Sequence, residues 1–350
     1  MRSAWDRLAR LEQEQLLLAC SECCGRMKRH QQSSSLYVPL NSLLIPVSEQ
    51  NRSPTLISIS LNMSSASGKV WLITGCSTGF GSAITKYAIL QGDRVIATAR
   101  NTAKLDELKG GGADILELDV TAPLSDLKAI AKQAYSLHNR INILVNNAGF
   151  ASQGTIEEAT PEETQGQFDT NVFGLLNVIR AFLPYLRARN SGVLANFSSI
   201  GAWKGVPGIG LYTSSKWAVT GFGETMTAEL ADFGIKVCVI EPGYFRSSFL
   251  NPGNRKVGQR RIKEYEGTAA SKYAALMDHY DGKQPGDIQK GAKVTVDVLS
   301  ERSGRGVPER LTLGNDAYAV IKARCEETLA LLEEWKDITT KTDHDDVVQG

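Results

Sequence analysis

No apolar run in this 350-residue chain approaches the roughly 18 residues that a membrane-crossing helix needs, and the patches around Leu36 to Val47 are broken by Pro39, Asn41 and Pro46. Charge of one sign is missing too. Lys and Arg number 39 against 38 Asp and Glu, leaving a formal net charge of +1, so no long-range field draws in nucleic acid or an acidic partner. Cysteine is sparse and irregular, with six residues at 20, 23, 24, 76, 238 and 325. That is not the framework of a small secreted domain, and a reducing, cytoplasmic setting is expected. Cys20, Cys23 and Cys24, with His30 downstream, lack a second ligand pair at finger-like spacing, so incidental thiols and no metal are expected. A targeting signal is also lacking. Arginines at 2, 7 and 10 suit a mitochondrial presequence, but Asp6, Glu12 and Glu14 do not, and no secretory apolar core follows.

What is present is ordinary globular composition, 42% hydrophobic and 22% charged, and enough length for one large domain or two small ones. Residues 1–62 lack usable periodicity and are expected to be a disordered extension. Alternatively they lie upstream of the functional protein, since Met63 opens a compact leader straight into an apolar run. Residues 63–350 read as a single domain.

From Lys69 short apolar runs alternate with helical stretches. The runs are Val70 to Thr74, Arg94 to Thr98, Ile115 to Leu118, Ile143 to Val145, Val193 to Phe197, Lys236 to Ile240 and Arg310 to Leu313. Strands separated by helices of ten residues or more imply right-handed crossovers and a parallel sheet covered on both faces. The expected fold is α/β, Rossmann-like and doubly wound, with about seven strands. Ligands of such sheets bind beyond the carboxyl ends of the strands, and the motifs fall there.

Thr74-Gly-Cys-Ser-Thr-Gly-Phe-Gly81 follows the first strand and opens a helix. Gly75, Gly79 and Gly81 allow a tight turn and close backbone approach, and Ser77, Thr78 and Phe80 lie with them where a helix N-terminus faces a pyrophosphate. The second strand ends in Ala99 and Arg100, not the carboxylate that would take the ribose hydroxyl of NAD, which favours the 2′-phosphate of NADP. Asp119, followed by Val120, is placed either to accept from an adenine amino group or to cap a helix. Asn146-Asn-Ala-Gly149 ends the fourth strand. Ala148 and Gly149 are small enough for a cofactor to lie against the backbone, and Asn146 or Asn147 is expected to tie neighbouring strands. The helix holding Asn171 runs on through Leu186 and is apolar nearly all round, which suggests burial on two sides, one against another subunit. Ser199 ends the fifth strand, 13 residues before Tyr212, across a glycine-rich loop that can return its hydroxyl to the phenol.

Tyr212 and Lys216 stand four residues apart at the start of a helix, so they share a face. A free phenol has a pKa of roughly 10, and a neighbouring ammonium is expected to lower it toward the range where proton transfer is efficient. By itself the spacing reads equally as a surface tyrosine and a solvated lysine.

Together, Thr74-Gly-x-x-x-Gly-x-Gly81, Asn146-Asn-Ala-Gly149, Asn171, Ser199, Tyr212-x-x-x-Lys216 and Pro242-Gly243 resemble, in order and approximate spacing, the short-chain dehydrogenase/reductases. The resemblance runs from about residue 66 to Leu313 and is to the compact, single-domain branch. The extended branch, which includes sugar-nucleotide epimerases, has its second glycine where this chain has Thr78. The resemblance implies that Tyr212 exchanges the substrate proton and that Lys216 biases it and holds the nicotinamide ribose. It further implies that Ser199 steadies the carbonyl oxygen while hydride arrives from the nicotinamide, and that Asn171 positions a water linking Lys216 to solvent. Pro242 and Gly243 would bring backbone beside the carboxamide, with Phe245 and Ser247 just beyond.

Residues 244–285 occupy the place of the substrate lid. Tyr244, Phe245, Phe249 and Leu250 read as an apolar pocket wall or as core packing. Arg255, Lys256, Arg260, Arg261 and Lys263 read as a solvated loop face or as a patch that steers an anionic substrate. A C-terminal helix over about 316–336 has Ala317, Ile321, Leu332 and Trp335 on one face, expected to pack or to close the site. An acidic, mobile tail from Asp343 is expected. The expected activity is an NADP(H)-dependent carbonyl reductase or alcohol dehydrogenase, with NADP(H) preferred over NAD(H), acting on a small, apolar carbonyl or alcohol as a homodimer or homotetramer. The rivals are an NADPH-sensing regulatory protein without turnover and a sugar-nucleotide epimerase.

Overall fold

The computed structural model describes residues 68–251 and 254–344, all within one compact unit, Met63–Gly350. The expected extension over 1–62, the thiols at 20, 23 and 24 with His30, and the last residues of the acidic tail lie outside the described residues. Strands are β1 (Val70–Ile73), β2 (Arg94–Ala99), β3 (Asp114–Glu117), β4 (Ile143–Asn146), β5 (Ala151–Gln153), β6 (Gly192–Phe197), β7 (Ile235–Pro242), β8 (Arg255–Val257) and β9 (Arg310–Leu313). Helices are α1 (Gly79–Leu90), α2 (Asp106–Gly110), α3 (Leu124–His138), α4 (Pro161–Phe168), α5 (Leu175–Arg187), α6 (Gly210–Leu230), α7 (Ala269–Tyr280), α8 (Ile288–Leu299) and α9 (Asn315–Thr339).

Seven strands pair in parallel in the order β3-β2-β1-β4-β6-β7-β9. All four residues of β1 are buried, because successive side chains alternate between two cores. Val70 and Leu72 enter one core with Leu127 and Ala131 of α3, Val178 and Phe182 of α5, and Val219 of α6. Trp71 and Ile73 enter the other with Ile84 and Ala88 of α1 and Val296 and Leu299 of α8. Each such side chain contributes roughly 1.5–3 kcal/mol by leaving water. Burial on both faces is why these strands are continuous apolar runs in the sequence, and the seven expected runs coincide with the seven strands.

Three features depart from the sequence reading. β5 and β8 pair as a separate two-stranded sheet, too short and too polar to carry a strand signal. The helix expected around Asn171 does run on into α5, but Asp169–Gly174 widens to a π-type turn between α4 and α5. In α9 only Ala317 is buried, with Ile321 intermediate, whereas Leu332 and Trp335 are 63% and 49% exposed. The face expected to pack does so only in its first turn. On α5, Val178, Ile179 and Phe182 are buried and Leu176, Leu183 and Tyr185 are half-buried. No described helix is long and apolar enough to cross a membrane.

The chain leaves β3 at one edge and crosses to β4 on the far side of β1. That reversal opens a crevice beyond the carboxyl ends of β1 and β4.

Candidate active site

The glycine loop leaves β1 at Thr74. Gly75 and Gly79 have φ of +71° and +61°, a left-handed backbone that a Cβ disfavours. Space demands glycine as well, since a Cβ on Gly75 would lie 2.8 Å from the Ala148 Cα and one on Gly81 2.5 Å from the Gly75 carbonyl oxygen. Thr78 is the N-cap of α1, and its side chain makes no capping hydrogen bond. First-turn N–H groups are therefore aimed into the crevice without a side-chain acceptor, at the positive end of the helix dipole. The loop is tied to β4. Asn147 Nδ2 donates to the carbonyls of Thr74 and Gly75 at 2.9 and 3.0 Å, and the Thr74 hydroxyl accepts from the N–H of Asn147 and Ala148 at 3.0 and 3.1 Å. Asn146 Nδ2 donates to Asn196 Oδ1 at 2.9 Å, joining β4 to β6. Both asparagines thus hold neighbouring elements together. Thr74 was not among the expected site residues, although it opens the motif.

Arg100 is exposed directly after β2. Asp119 does not cap α3, whose N-cap is Pro123. Its Oδ1 instead accepts from the N–H and hydroxyl of Thr121 at 2.9 and 2.8 Å. Val120 is buried, and Gly174 approaches it so closely that a Cβ there would meet the Val120 side chain at 2.9 Å.

At the ends of β6 and β7 the four residues of the candidate catalytic set converge. The Ser199 hydroxyl and the Tyr212 ring flank Gly201 together, close enough for Ser199 to lower the phenol's pKa, and the Ser199 Oγ accepts from the Gly201 N–H at 3.0 Å. Lys216, one helical turn after Tyr212 on α6, is buried and donates to the Phe197 carbonyl at 2.7 Å. Asn171 is buried in the π-type turn. Its Oδ1 accepts from the Phe150 N–H at 3.1 Å, and its Nδ2 donates to the Phe150 carbonyl and to Ser215 Oγ, both at 3.1 Å. Gly149 lies between Asn171 and Lys216, so that a Cβ on it would sit 3.1 Å from Asn171 Oδ1 and 3.7 Å from Lys216 Nζ. Ser215 escaped the sequence reading, since only the fold reveals that it faces Asn171.

The electrostatics differ from the expectation. Burial pushes the Tyr212 phenol up to about 12, against the lowering effect of Ser199, and the nearby Tyr244 raises it further. Burial also pulls Lys216 down to about 8. The lysine lies 5.8 Å from the centre of the phenol ring and gives its short bond to a backbone carbonyl. Desolvation outweighs the ion's attraction at this separation.

Gly243 follows β7 and abuts Asp316 at the start of α9, where a Cβ would lie 2.2 Å from the carboxylate. Asp316 accepts from the Tyr244 N–H at 2.6 Å, a role for which only the Gly-Asn-Asp helix start gave a signal. The Phe245 ring packs edge-on against Phe80, with centroids 4.9 Å apart, and Phe80 lies 5.2 Å from Phe197. Both rings are therefore core-facing, and backbone is what they leave for a ligand. Ser247 caps the turn of Ser248–Leu250 by accepting from the Phe249 N–H. Further along this segment Phe249 lies 5.8 Å from Tyr212, ring to ring. Tyr244 and Tyr273 of α7 share a hydrogen bond of 2.5 Å between hydroxyls. Leu250 is buried, so this segment is core at Leu250, while Phe249 packs its ring against Tyr212.

The family described as short chain dehydrogenase matches residues 69–257. Oxidoreductase BOA17 of Botryotinia fuckeliana (strain B05.10) is 34% identical over 275 residues, covering 77% of this chain and 98% of the relative. The 3-ketodihydrosphingosine reductase of Bacteroides thetaiotaomicron is 38% identical over 191 residues, 55% of this chain and 68% of that protein. A short-chain dehydrogenase of Streptomyces avermitilis superposes with a TM-score of 0.71 at 35% identity, covering 79% of this chain and 100% of its own.

Proposed function

Since the chain belongs to the short-chain dehydrogenase/reductase family and is an NAD(P)-dependent dehydrogenase/reductase, we propose that it interconverts a ketone or aldehyde and its alcohol, with Tyr212 as the proton-transferring group. The observation that carries this reading is the placing of Ser199 and Tyr212 together at Gly201, beside a buried Lys216, at the strand ends where the glycine loop also opens. The uncapped start of α1 and the close approach of Gly75 to Ala148 fit a dinucleotide, with Ala148, Gly149 and Gly243 giving it backbone to lie against. When bound, the nicotinamide supplies or accepts the hydride. Ser199 holds the substrate oxygen, and Tyr212 gives it a proton as the carbonyl is reduced. A phenol pushed up to about 12 stays protonated at neutral pH, which favours the reductive direction. Lys216 orients the ribose and steadies the phenolate left behind.

NADP(H) is the preferred cofactor, on the strength of Arg100 and the absence of a carboxylate at the end of β2. The Arg100→Ala variant should weaken NADPH binding about 10-fold or more, as expected for a lost charge-assisted bond, and leave NADH nearly unaffected. Equal losses in a titration of both cofactors would refute the preference. The substrate is a carbonyl compound with an apolar body, because Phe249 faces Tyr212. A relative's name points to a lipid-like ketone as a first substrate to try. A cytoplasmic homo-oligomer is the form we infer.

The deciding experiment follows NADPH oxidation across a panel of ketones and aldehydes. Tyr212→Phe should lower kcat by about 10²–10⁴. A protein that binds NADPH, turns over nothing on the panel and ignores this substitution would be a sensor instead.

A further inference from the structure

Helix α9 (Asn315–Thr339) is docked at its root alone. Ala317 is buried and Asp316 accepts from the Tyr244 N–H at 2.6 Å, whereas every residue over 322–339 is exposed. That stretch extends for about 27 Å at the rise of an α-helix. A helix in water draws most of its stability from packing an apolar face, and among the described residues this stretch is left without that packing. Yet it carries such a face. Tyr318, Ile321, Cys325, Thr328, Leu332 and Trp335 recur at alternating spacings of three and four, the seam repeat of paired helices, and the exposed Leu329 and Ile338 widen it.

The charges point to what covers the seam. Residues 318–325 carry Lys322 and Arg324 and no acid, whereas 326–339 carry Glu326, Glu327, Glu333, Glu334 and Asp337 against Lys336 alone. Pairing within the helix does not account for this segregation, because Lys322–Glu326 and Arg324–Glu327 are exposed and run base before acid, the weaker order. Laid antiparallel on a copy of itself, the basic half meets the acidic half, whereas a parallel pair would set like on like. The seam agrees with the charges. With a symmetry axis between residues 326 and 327, Tyr318 faces the partner's Trp335, Ile321 the partner's Leu332 and Cys325 the partner's Thr328, large side chains against large and small against small. A lipid surface is the poorer match. Helices that lie on one are rich in Lys and Arg on the polar face, and this helix has an excess of acid.

We propose that α9 pairs antiparallel with α9 of a second copy of this chain. The pairing rests on the homo-oligomer reading and names the face that makes the oligomer.

Sedimentation velocity of the full chain across a dilution series tests it. Wild type should associate reversibly in the micromolar range, and Leu332→Glu with Trp335→Glu should halve the mass where wild type is associated. Neither side chain is buried, so at concentrations where both proteins are monomeric their urea midpoints should coincide. Lys322→Glu with Arg324→Glu should weaken association at least about 10-fold, and adding Glu333→Lys with Glu334→Lys should restore it. In a parallel pair that first reversal would exchange like for like, so an unchanged mass there overturns the antiparallel arrangement. An oligomer indifferent to Leu332→Glu with Trp335→Glu overturns the pairing of α9 and leaves the homo-oligomer reading to another face. Wild type that is monomeric at every concentration removes both, and co-sedimentation of that monomer with vesicles of phosphatidylcholine and phosphatidylserine would assign the seam to a membrane surface instead.

Discussion

Lys216 is 5% exposed, and its ammonium is hydrogen-bonded to one carbonyl. Burial moves its pKa from 10.5 down to about 8, so the folded chain releases this proton before the unfolded chain does. Between pH 8 and pH 10.5 the unfolded state binds more protons, and stability from this group must rise with pH there; below pH 8 the buried charge exerts its full destabilising effect. The stability difference between wild type and Lys216→Met should therefore shift in favour of wild type by about 3 kcal/mol across that window. Urea unfolding at pH 7, 9 and 10.5 measures it. A difference independent of pH would mean that the ammonium is solvated. The same residue marks the limit of sequence reasoning at this scale. Tyr212 and Lys216 were legible as a pair because helical spacing fixes which side chains share a face, but the direction of the phenol's shift was not. Spacing reports neighbours and is silent about burial, and here burial is the larger effect.

Elements were legible in proportion to how many residues repeat one signal. The seven sheet strands repeat burial on both faces and appear as apolar runs, whereas β5 and β8 are three residues each and repeat nothing. The turn Asp169–Gly174 reads as helix because each residue taken singly tolerates helix. What widens it is long-range, namely Asn171 reaching both backbone groups of Phe150. Wider turns of this type recur at functional sites. Asn171→Asp keeps the acceptor for the Phe150 N–H but loses both donated bonds and adds a buried charge facing a carbonyl. The cost should be at least about 2 kcal/mol, read as a lowered urea midpoint with NADPH oxidation falling in parallel. A variant of wild-type stability would show that the turn is held by its own sequence. In α9 the period of the apolar residues was legible, but not whether anything packs on them. Leu329, Leu332 and Trp335 are exposed because nothing in a helix's own pattern fixes which part of the chain comes near it.

Across the whole molecule the two ends of the sheet have different duties. Carboxyl ends of β1, β4, β6 and β7 carry the glycine loop, Asn147, Ser199 and Gly243, while the amino ends carry a tie between distant parts of the chain. Asp93, just before β2, has a fully buried carboxylate. It accepts from the Lys69 N–H, the Trp71 indole and both terminal nitrogens of Arg302, in the segment leading to β9, at 2.7–2.9 Å. Removing the guanidinium leaves a buried carboxylate without its counter-charge, which costs about 3–5 kcal/mol. Arg302→Met should accordingly lower the unfolding free energy by that amount while kcat/KM at 20 °C stays within about twofold, because no atom of this tie reaches the crevice. Adding Asp93→Asn to Arg302→Met should recover part of the loss, giving a coupling of at least about 1 kcal/mol in the double-mutant cycle. Strict additivity would mean that the two residues act separately. A loss of activity matching the loss of stability would mean that the two ends of the sheet are mechanically linked, and that the division of duties between them is wrong.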